Sequence, residues 1–133
     1  MQPLILTGWT GDDWREAAQI TMPLMKAYAL RHGMDFAWAD LTGARPPSWQ
    51  KVIGLLQTLP NRPAVVWIDA DVVIEDGSRN ILDDVAEDAD QALVEHDTEC
   101  GMVPNCGVWV LRPAMLSRLE QAWNCNRHIS HPW

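Results

Sequence analysis

Two aspartates stand two positions apart directly after an apolar run. Asp69 and Asp71 follow the run Ala64–Ile68, with Ala70 between them. In an extended backbone, side chains at positions i and i+2 point the same way. Two carboxylates held together near an apolar core repel each other, and a hard divalent cation between them relieves that repulsion. The spacing therefore predicts a metal site in which Asp69 and Asp71 hold Mn²⁺ or Mg²⁺ against substrate phosphates.

The same residues allow two other interpretations and exclude a third. In the simplest, one aspartate caps a turn and the other is solvated. An EF-hand loop is excluded, because it requires a glycine at its sixth position, where this chain has Ile74. A haloacid-dehalogenase-type phosphatase would use Asp69 as its nucleophile, but it also needs a lysine further along. Residues 72–133 contain no lysine, so the phosphatase stays a minor alternative.

Alternating strands and helices are predicted to position the aspartates. Short apolar runs bounded by turn residues indicate strands, and apolar residues at helical spacing indicate the helices between them. The strands are predicted at Leu4–Leu6, Phe36–Ala39 and Ala64–Ile68, and the helices at Trp14–Ile20, capped by Asp12 or Asp13 and continued from a Thr21 cap to Gly33, and at Trp49–Leu59. This order implies an α/β fold with a parallel sheet and right-handed crossovers.

The second half of the chain has a less regular pattern. Two further strands are predicted at Gln91–Glu95 and Gly107–Leu111. A short helix is predicted at Ile81–Ala86, and a longer one at Pro113–Asn124. With 133 residues, the chain is predicted to form one domain, 1–133.

Polar residues follow each of the first three predicted strands. Thr7, Gly8, Trp9 and Thr10 follow the first strand, Asp40 follows the second, and the aspartate pair follows the third. Open α/β sheets bind their ligands beyond the carboxyl ends of the strands. We therefore expect these residues to lie around one ligand site.

The distribution of charge excludes some partners. Residues 1–66 carry five acidic side chains and six Lys or Arg, whereas residues 67–133 carry thirteen acidic side chains and four Arg. A nucleic-acid surface needs a basic footprint, so no nucleic-acid partner is expected. No apolar run reaches the roughly 20 residues of a membrane span, and the first residues do not read as a signal peptide. Together with an odd number of cysteines, this predicts a cytoplasmic protein.

Four segments, in this order along the chain, resemble the galactosyl/mannosyl transferase family, which includes Golgi α-1,6-mannosyltransferases and plant xyloglucan xylosyltransferases. They are residues 26–36, 49–51, 67–71 and 104–112. The resemblance covers roughly residues 3–133 and implies a Rossmann-like GT-A fold, with a mostly parallel central sheet and flanking helices. It also implies a glycosyltransferase that uses Mn²⁺ or Mg²⁺ to move a sugar from a nucleotide-diphosphate donor to a glycan or other hydroxyl acceptor, with retention at the anomeric carbon.

The resemblance also implies a role for each site residue. Asp71 would bind the metal directly, and Asp69 would bind the metal or the ribose. The residues assigned to the nucleotide sugar are Thr7, Gly8, Trp9, Thr10, Asp40, Lys51, Asp69, Ala70, Asn105 and Gly107. Asp97 and Asn105 are the candidate catalytic residues. Simpler interpretations are edge packing for Trp9, a surface charge for Lys51 and a plain turn for Asn105–Gly107.

The chain departs from the family pattern near its end. The family's catalytic domain is longer and usually supplies a histidine as a further metal ligand. This chain therefore resembles a C-terminally truncated form, in which His128 or His131 is a candidate replacement ligand. The alternative function is a nucleotide-sugar-binding domain without turnover.

Overall fold

A five-stranded sheet forms the centre of the protein. The computed structural model describes residues 1–127 and Ile129. The strands are β1 (Leu4–Trp9), β2 (Asp35–Asp40), β3 (Val65–Ile68), β4 (Gln91–Thr98) and β5 (Gly101–Leu111), in the spatial order β2-β1-β3-β5-β4. β1 is parallel to β2 and β3, whereas β5 is antiparallel to both β3 and β4. Four strands therefore share one direction, and the prediction of a mostly parallel sheet is confirmed.

Helices cover both faces of this sheet. They are α1 (Asp12–Arg31), α2 (Pro47–Thr58) and α3 (Leu116–Asn124). Side chains of β1 alternate between the two faces. Leu4 and Leu6 pack in the cluster that includes α2 and α3 residues, while Ile5 packs in the cluster that includes Met25 of α1. Because both faces are covered, β3 is apolar and fully buried along its length.

The first helix is one continuous element instead of two segments with separate caps. α1 runs without interruption through Pro23, its N-cap is Gly11, and no side chain caps it. The predicted caps at Asp12, Asp13 and Thr21 are therefore wrong. The Thr21 hydroxyl instead donates to the carbonyl of Ala70, at 2.6 Å. This tertiary bond fixes the backbone between the two aspartates against α1.

Strands β4 and β5 form a longer hairpin than the sequence predicted. The predicted strands ended at Glu95 and began at Gly107, but pairing continues to Thr98 and Gly101. Gly101 follows the tight turn with φ +100°, a conformation that favours glycine. Most side chains in the distal part of the hairpin are exposed. Local periodicity missed this extension, because an exposed hairpin lacks the buried apolar alternation that indicates a strand.

The segment from Asp71 to Asp90 contains no strand. Its short helical turn covers Ile81–Asp84, shorter than the predicted helix. Tyr28 of α1 holds this segment, because its hydroxyl accepts from the N–H of Ile81 at 2.7 Å and donates to the carbonyl of Arg79 at 3.0 Å. Burial raises the pKa of Tyr28 above its usual value, so the hydroxyl stays protonated as these bonds require.

Candidate functional site

A cavity of about 300 Å³ opens where β1 and β3 end. Its position is the point at which the strand order reverses around β1, where α/β sheets bind ligands. Residues from β1, from the start of α1, from the loop before α2 and from the end of β3 line it. They are Gly8, Trp9, Thr10, Trp14, Leu41, Pro47, Ser48, Lys51, Asp69, Ala70 and Asp71. The tertiary structure thus brings both predicted metal ligands together with most of the predicted nucleotide-sugar residues.

The two aspartates do not have the extended geometry that their spacing predicted. β3 ends at Ile68, and the N–H of Val72 donates to the carbonyl of Asp69 at 3.0 Å, which closes a turn. The expectation of an extended backbone there is wrong. Ala70 is buried inside this turn and Asp71 is exposed at the cavity. The two carboxylates therefore differ in environment: one faces solvent and the other is partly enclosed.

Asp69 is held by three groups from different parts of the fold. Its Oδ1 accepts from Trp67 Nε1 at 2.6 Å and lies 2.8 Å from Lys51 Nζ. Its backbone N–H donates to the carbonyl of Gly107 at 2.8 Å. Hydrogen bonds to a carboxylate are stronger than those between neutral groups. The side chain of Asp69 is therefore fixed in position before any ligand arrives.

Lys51 is a buried cation. Its residue is only 6% exposed, and its ammonium also donates to the carbonyl of Cys106 at 3.1 Å and lies 5.0 Å from the ring centre of Trp67. The interpretation of Lys51 as a surface charge is wrong. A buried charge is tolerated when it is paired and hydrogen-bonded, and the contact with Asp69 provides the pairing.

Aromatic side chains also line the cavity. Trp9 stacks on Trp38 of β2, with ring centres 4.6 Å apart and planes inclined by 21°. Trp14, in the first turn of α1, lines the same cavity and is half exposed. The sequence analysis missed Trp14, together with Leu41, Pro47 and Ser48. Trp14 could have been predicted, because it stands in the first turn of a helix that directly follows the end of a strand.

The loop before α2 is tied down at both ends. Thr42 contacts Thr10 through the two hydroxyl oxygens at 2.8 Å. The guanidinium of Arg45 lies 3.8 Å from the ring centre of Trp123 in α3 and 5.6 Å from that of Trp49 in α2. Cation–aromatic contacts of this kind stabilise a fixed arrangement. The loop residues that line the cavity are therefore held against the body of the protein.

Five predicted residues do not line the cavity, namely Thr7, Asp40, Asp97, Asn105 and Gly107. Thr7 belongs to β1 and is fully buried, so it does not begin the predicted loop. Asp40 is exposed at the end of β2. Hydrogen bonds from the hydroxyl and the backbone N–H of Thr42 hold the pKa of Asp40 below its usual value. Asn105 and Asp97 lie on the hairpin, and Asp97 pairs with Met102 nearer its tip.

Asn105 and Gly107 nevertheless adjoin Asp69. The N–H of Gly107 donates to Asn105 Oδ1 at 2.7 Å. A Cβ atom on Gly107 would lie 2.9 Å from Asn105 Oδ1 and 3.2 Å from Asp69 Oδ2. Both distances are short for a carbon–oxygen contact, so the absent side chain at position 107 allows the amide and the carboxylate to approach the same point.

The two aspartates fit a hard cation whose remaining ligands are water molecules or phosphate oxygens. Within residues 1–127 and at 129, no three His, Cys, Asp or Glu side chains are grouped as a metal site. His128 and His131 lie outside the described residues. Asp71 and the second oxygen of Asp69 would supply two oxygen ligands to such an ion. Mg²⁺ is commonly held by one or two carboxylates plus substrate phosphates, so the residues fit this kind of ion.

Replacing Trp67 tests how Asp69 is held. We expect Trp67→Phe to remove the N–H donor to Asp69 Oδ1 and to weaken Mn²⁺-dependent nucleotide binding by roughly tenfold, since a hydrogen bond to a charged group contributes about 1.5–3 kcal/mol. The matched control is Trp109→Phe, which removes an indole bond to Gln91 in the neighbouring strand. Titration calorimetry measures both variants. Equal losses in the two would contradict a role for Trp67 in the site.

Solved structures show the fold of this chain. A glycosyltransferase involved in the glycosylation of the major capsid of PBCV-1 matches with a TM-score of 0.78 and 17% identity, over 100% of this chain and 71% of that one. A mutant of Drosophila β1,4-galactosyltransferase 7, in complex with manganese, UDP-Gal and xylobiose, matches with a TM-score of 0.64 and 12% identity. That match covers 89% of this chain and 52% of the galactosyltransferase chain. The predicted GT-A fold is confirmed.

Sequence comparisons give less information. No family model matches the chain, and no curated protein matches it significantly. The structure neighbours are glycosyltransferases, but the narrower resemblance to the galactosyl/mannosyl transferase family stays a prediction. None of the helices in the described part of the chain has the length and apolar character to cross a bilayer.

Proposed function

We propose that the protein is a metal-dependent glycosyltransferase that moves a sugar from a nucleotide-diphosphate donor to a glycan or other hydroxyl acceptor. The observation that carries the proposal is the composition of the cavity. Trp9, Trp14 and aliphatic side chains supply an apolar part of its lining, and Asp69, Asp71 and Lys51 supply a charged part. A ligand that carries both a flat aromatic group and a cation-bound diphosphate matches the two parts of this lining. The GT-A fold supports the proposal.

Each part of the lining has a proposed role. The exposed ring of Trp14 offers a face for stacking a nucleobase, and Trp9 is held in place by Trp38. Asp71 and Asp69 would hold Mn²⁺ or Mg²⁺, which when bound supplies a Lewis acid that stabilises charge on the departing nucleoside diphosphate. Trp67 and Lys51 orient the carboxylate of Asp69.

The donor sugar is proposed to bind next to the hairpin of β4 and β5. Asn105 and Gly107 adjoin Asp69, and they are proposed to contact the sugar there. Asp97 is proposed to bind a sugar hydroxyl, and Asp40 to bind the base. Thr7 is not proposed as a contact, because its side chain is buried in the structure.

A retaining mechanism and the membership in the galactosyl/mannosyl transferase family are parts of this proposal that rest on the sequence resemblance.

Calorimetry with UDP and GDP, each with and without MnCl₂, tests the proposal. We expect one nucleotide to bind with a dissociation constant in the micromolar range when Mn²⁺ is present and much more weakly without it. An assay for hydrolysis or transfer of the matching sugar donor follows. If neither nucleotide binds at millimolar concentration with Mn²⁺ present, the proposal is wrong.

The stacking role of Trp14 leads to a second prediction for this site. We expect Trp14→Ala to weaken nucleotide binding by roughly 5- to 100-fold, since removing an aromatic side chain that stacks on a base costs about 1–3 kcal/mol. The melting temperature should change little, because the ring is half exposed. Ile20→Ala, at another exposed position on the same helix, is the control. Unchanged affinity in Trp14→Ala would exclude stacking there.

A nucleotide-sugar-binding domain without turnover is the second candidate. The observation that favours it is the small donor set, since the described residues group no third metal-binding side chain with Asp69 and Asp71. Tight, Mn²⁺-dependent binding without donor hydrolysis or transfer would support this candidate. The phosphatase alternative gains no support from the comparisons, and loss of phosphomonoester hydrolysis in Asp69→Asn would be needed to revive it.

A further inference from the structure

The ammonium of Lys51 lies close enough to Asp69 to repel a cation bound between the two aspartates. Its ammonium lies 2.8 Å from Asp69 Oδ1, the same oxygen that accepts the indole N–H of Trp67. Two donors therefore already occupy this oxygen. Only the other oxygen of Asp69, together with the carboxylate of Asp71, is left for a metal ion.

The ammonium is not free to move aside. Lys51 is 6% exposed, and the carbonyl of Cys106 and the ring of Trp67 hold its Nζ in addition to Asp69. Leaving this position would separate Lys51 from Asp69, the one charged partner it has among the described residues, and a buried, unpaired ammonium is strongly unfavourable. A metal ion must therefore bind beside a fixed positive charge.

Lys51 offsets one of the two negative charges of the aspartate pair. Asp69 and Asp71 contribute two negative charges and Lys51 one positive charge, so the site presents a net charge of one negative unit to a divalent cation. A nucleoside diphosphate changes this balance, because it brings further negative charge and additional oxygen ligands. The cation and the diphosphate then offset each other's charge next to Lys51.

We infer that Lys51 is a built-in counter-ion that weakens the binding of Mn²⁺ alone to the aspartate pair, so that the cation and the diphosphate bind cooperatively. The inference rests on the proposed function and adds the coupling between its two ligands. Such coupling is reciprocal: Mn²⁺ raises the affinity for the nucleotide by the same factor by which the nucleotide raises the affinity for Mn²⁺. Lys51 acts through Asp69 and is a positioning residue.

A titration of the protein with MnCl₂ tests the role of Lys51 without any turnover. Electron paramagnetic resonance measures the concentration of free Mn²⁺ at each step. For the unmodified protein we expect millimolar affinity for Mn²⁺ alone and at least tenfold tighter binding in the presence of UDP. Lys51→Met, which removes the charge at similar size, should bind Mn²⁺ alone at least tenfold more tightly than the unmodified protein. The coupling to UDP should shrink accordingly.

Three further variants complete the experiment. Lys51→Arg keeps the charge and should keep weak binding of Mn²⁺ alone. Lys26→Met removes an exposed lysine of α1 and should change nothing. Lys51→Gln removes the charge but keeps a donor, and it replaces Lys51→Met if circular dichroism shows that the latter does not fold.

Two results would overturn the inference. One is tight binding of Mn²⁺ alone to the unmodified protein, with no gain from UDP. The other is unchanged Mn²⁺ affinity when the charge of Lys51 is removed. Failure of the proposed function gives a different result, because UDP and GDP would not bind at all. The Mn²⁺ affinities of the unmodified protein and of the variants without the Lys51 charge would still decide the role of the lysine.

Discussion

The Asp71→Asn variant is expected to lose Mn²⁺-dependent nucleotide binding and at least about a hundredfold in kcat/KM for sugar transfer, because removing one group that stabilises developing charge typically costs about that much. The structure gives the reason for choosing this aspartate. One oxygen of Asp69 is engaged by Trp67 and Lys51, whereas Asp71 is exposed at the cavity. Asp71 is therefore the carboxylate best placed to bind a cation.

The measurement combines calorimetry with a transfer assay. Asp71→Asn should fold normally, since its side chain is exposed and the turn is held by backbone bonds and by Thr21. Asp88→Asn, at an exposed position outside the cavity, is the control and should behave like the unmodified protein. Normal Mn²⁺-dependent binding and normal transfer by Asp71→Asn would show that the cation site is assigned to the wrong residues.

Two glycine replacements are expected to shift stability in opposite directions. At Gly8, an added Cβ would lie 2.7 Å from the carbonyl oxygen of Ala39 and 3.0 Å from Trp67, so backbone and a buried ring would have to move. We expect Gly8→Ala to destabilise the fold by about 1–3 kcal/mol, the usual range for overpacking. At Gly54, inside α2, the nearest atoms would be 3.6 Å away. Gly54→Ala should stabilise the fold by about 0.5–1 kcal/mol.

Urea unfolding followed by circular dichroism measures both glycine variants. The midpoint should fall for Gly8→Ala and rise for Gly54→Ala, with unchanged slopes, if only stability has changed. Gly8 also lines the cavity, so its replacement should weaken nucleotide binding, whereas that of Gly54 should not. A midpoint for Gly8→Ala equal to that of the unmodified protein would mean that the end of β1 is less tightly packed against β2 and β3 than the structure shows.

The fold and the edge of the sheet at which the cavity opens could be predicted from local patterns. The apolar run Val65–Ile68 is buried on both faces, and a fully buried strand reads as continuous hydrophobic sequence. The order of strands and helices then places the strand ends at one edge, because crossovers between parallel strands have a fixed hand. For the same reason Trp9 and the aspartate pair, 60 residues apart, could be expected around one cavity.

The sequence alone thus determined the alternation of strands and helices, the parallel core and the edge at which the aspartates stand, because these depend on hydrophobic periodicity and chain direction. Only the tertiary structure decided that Lys51 pairs with Asp69, that Trp14 joins the cavity and that Asp69–Val72 forms a turn. The physical reason is that a contact between side chains on separate elements depends on how those elements pack. Nothing in the local sequence around Lys51 distinguishes a buried ion pair from an exposed charge.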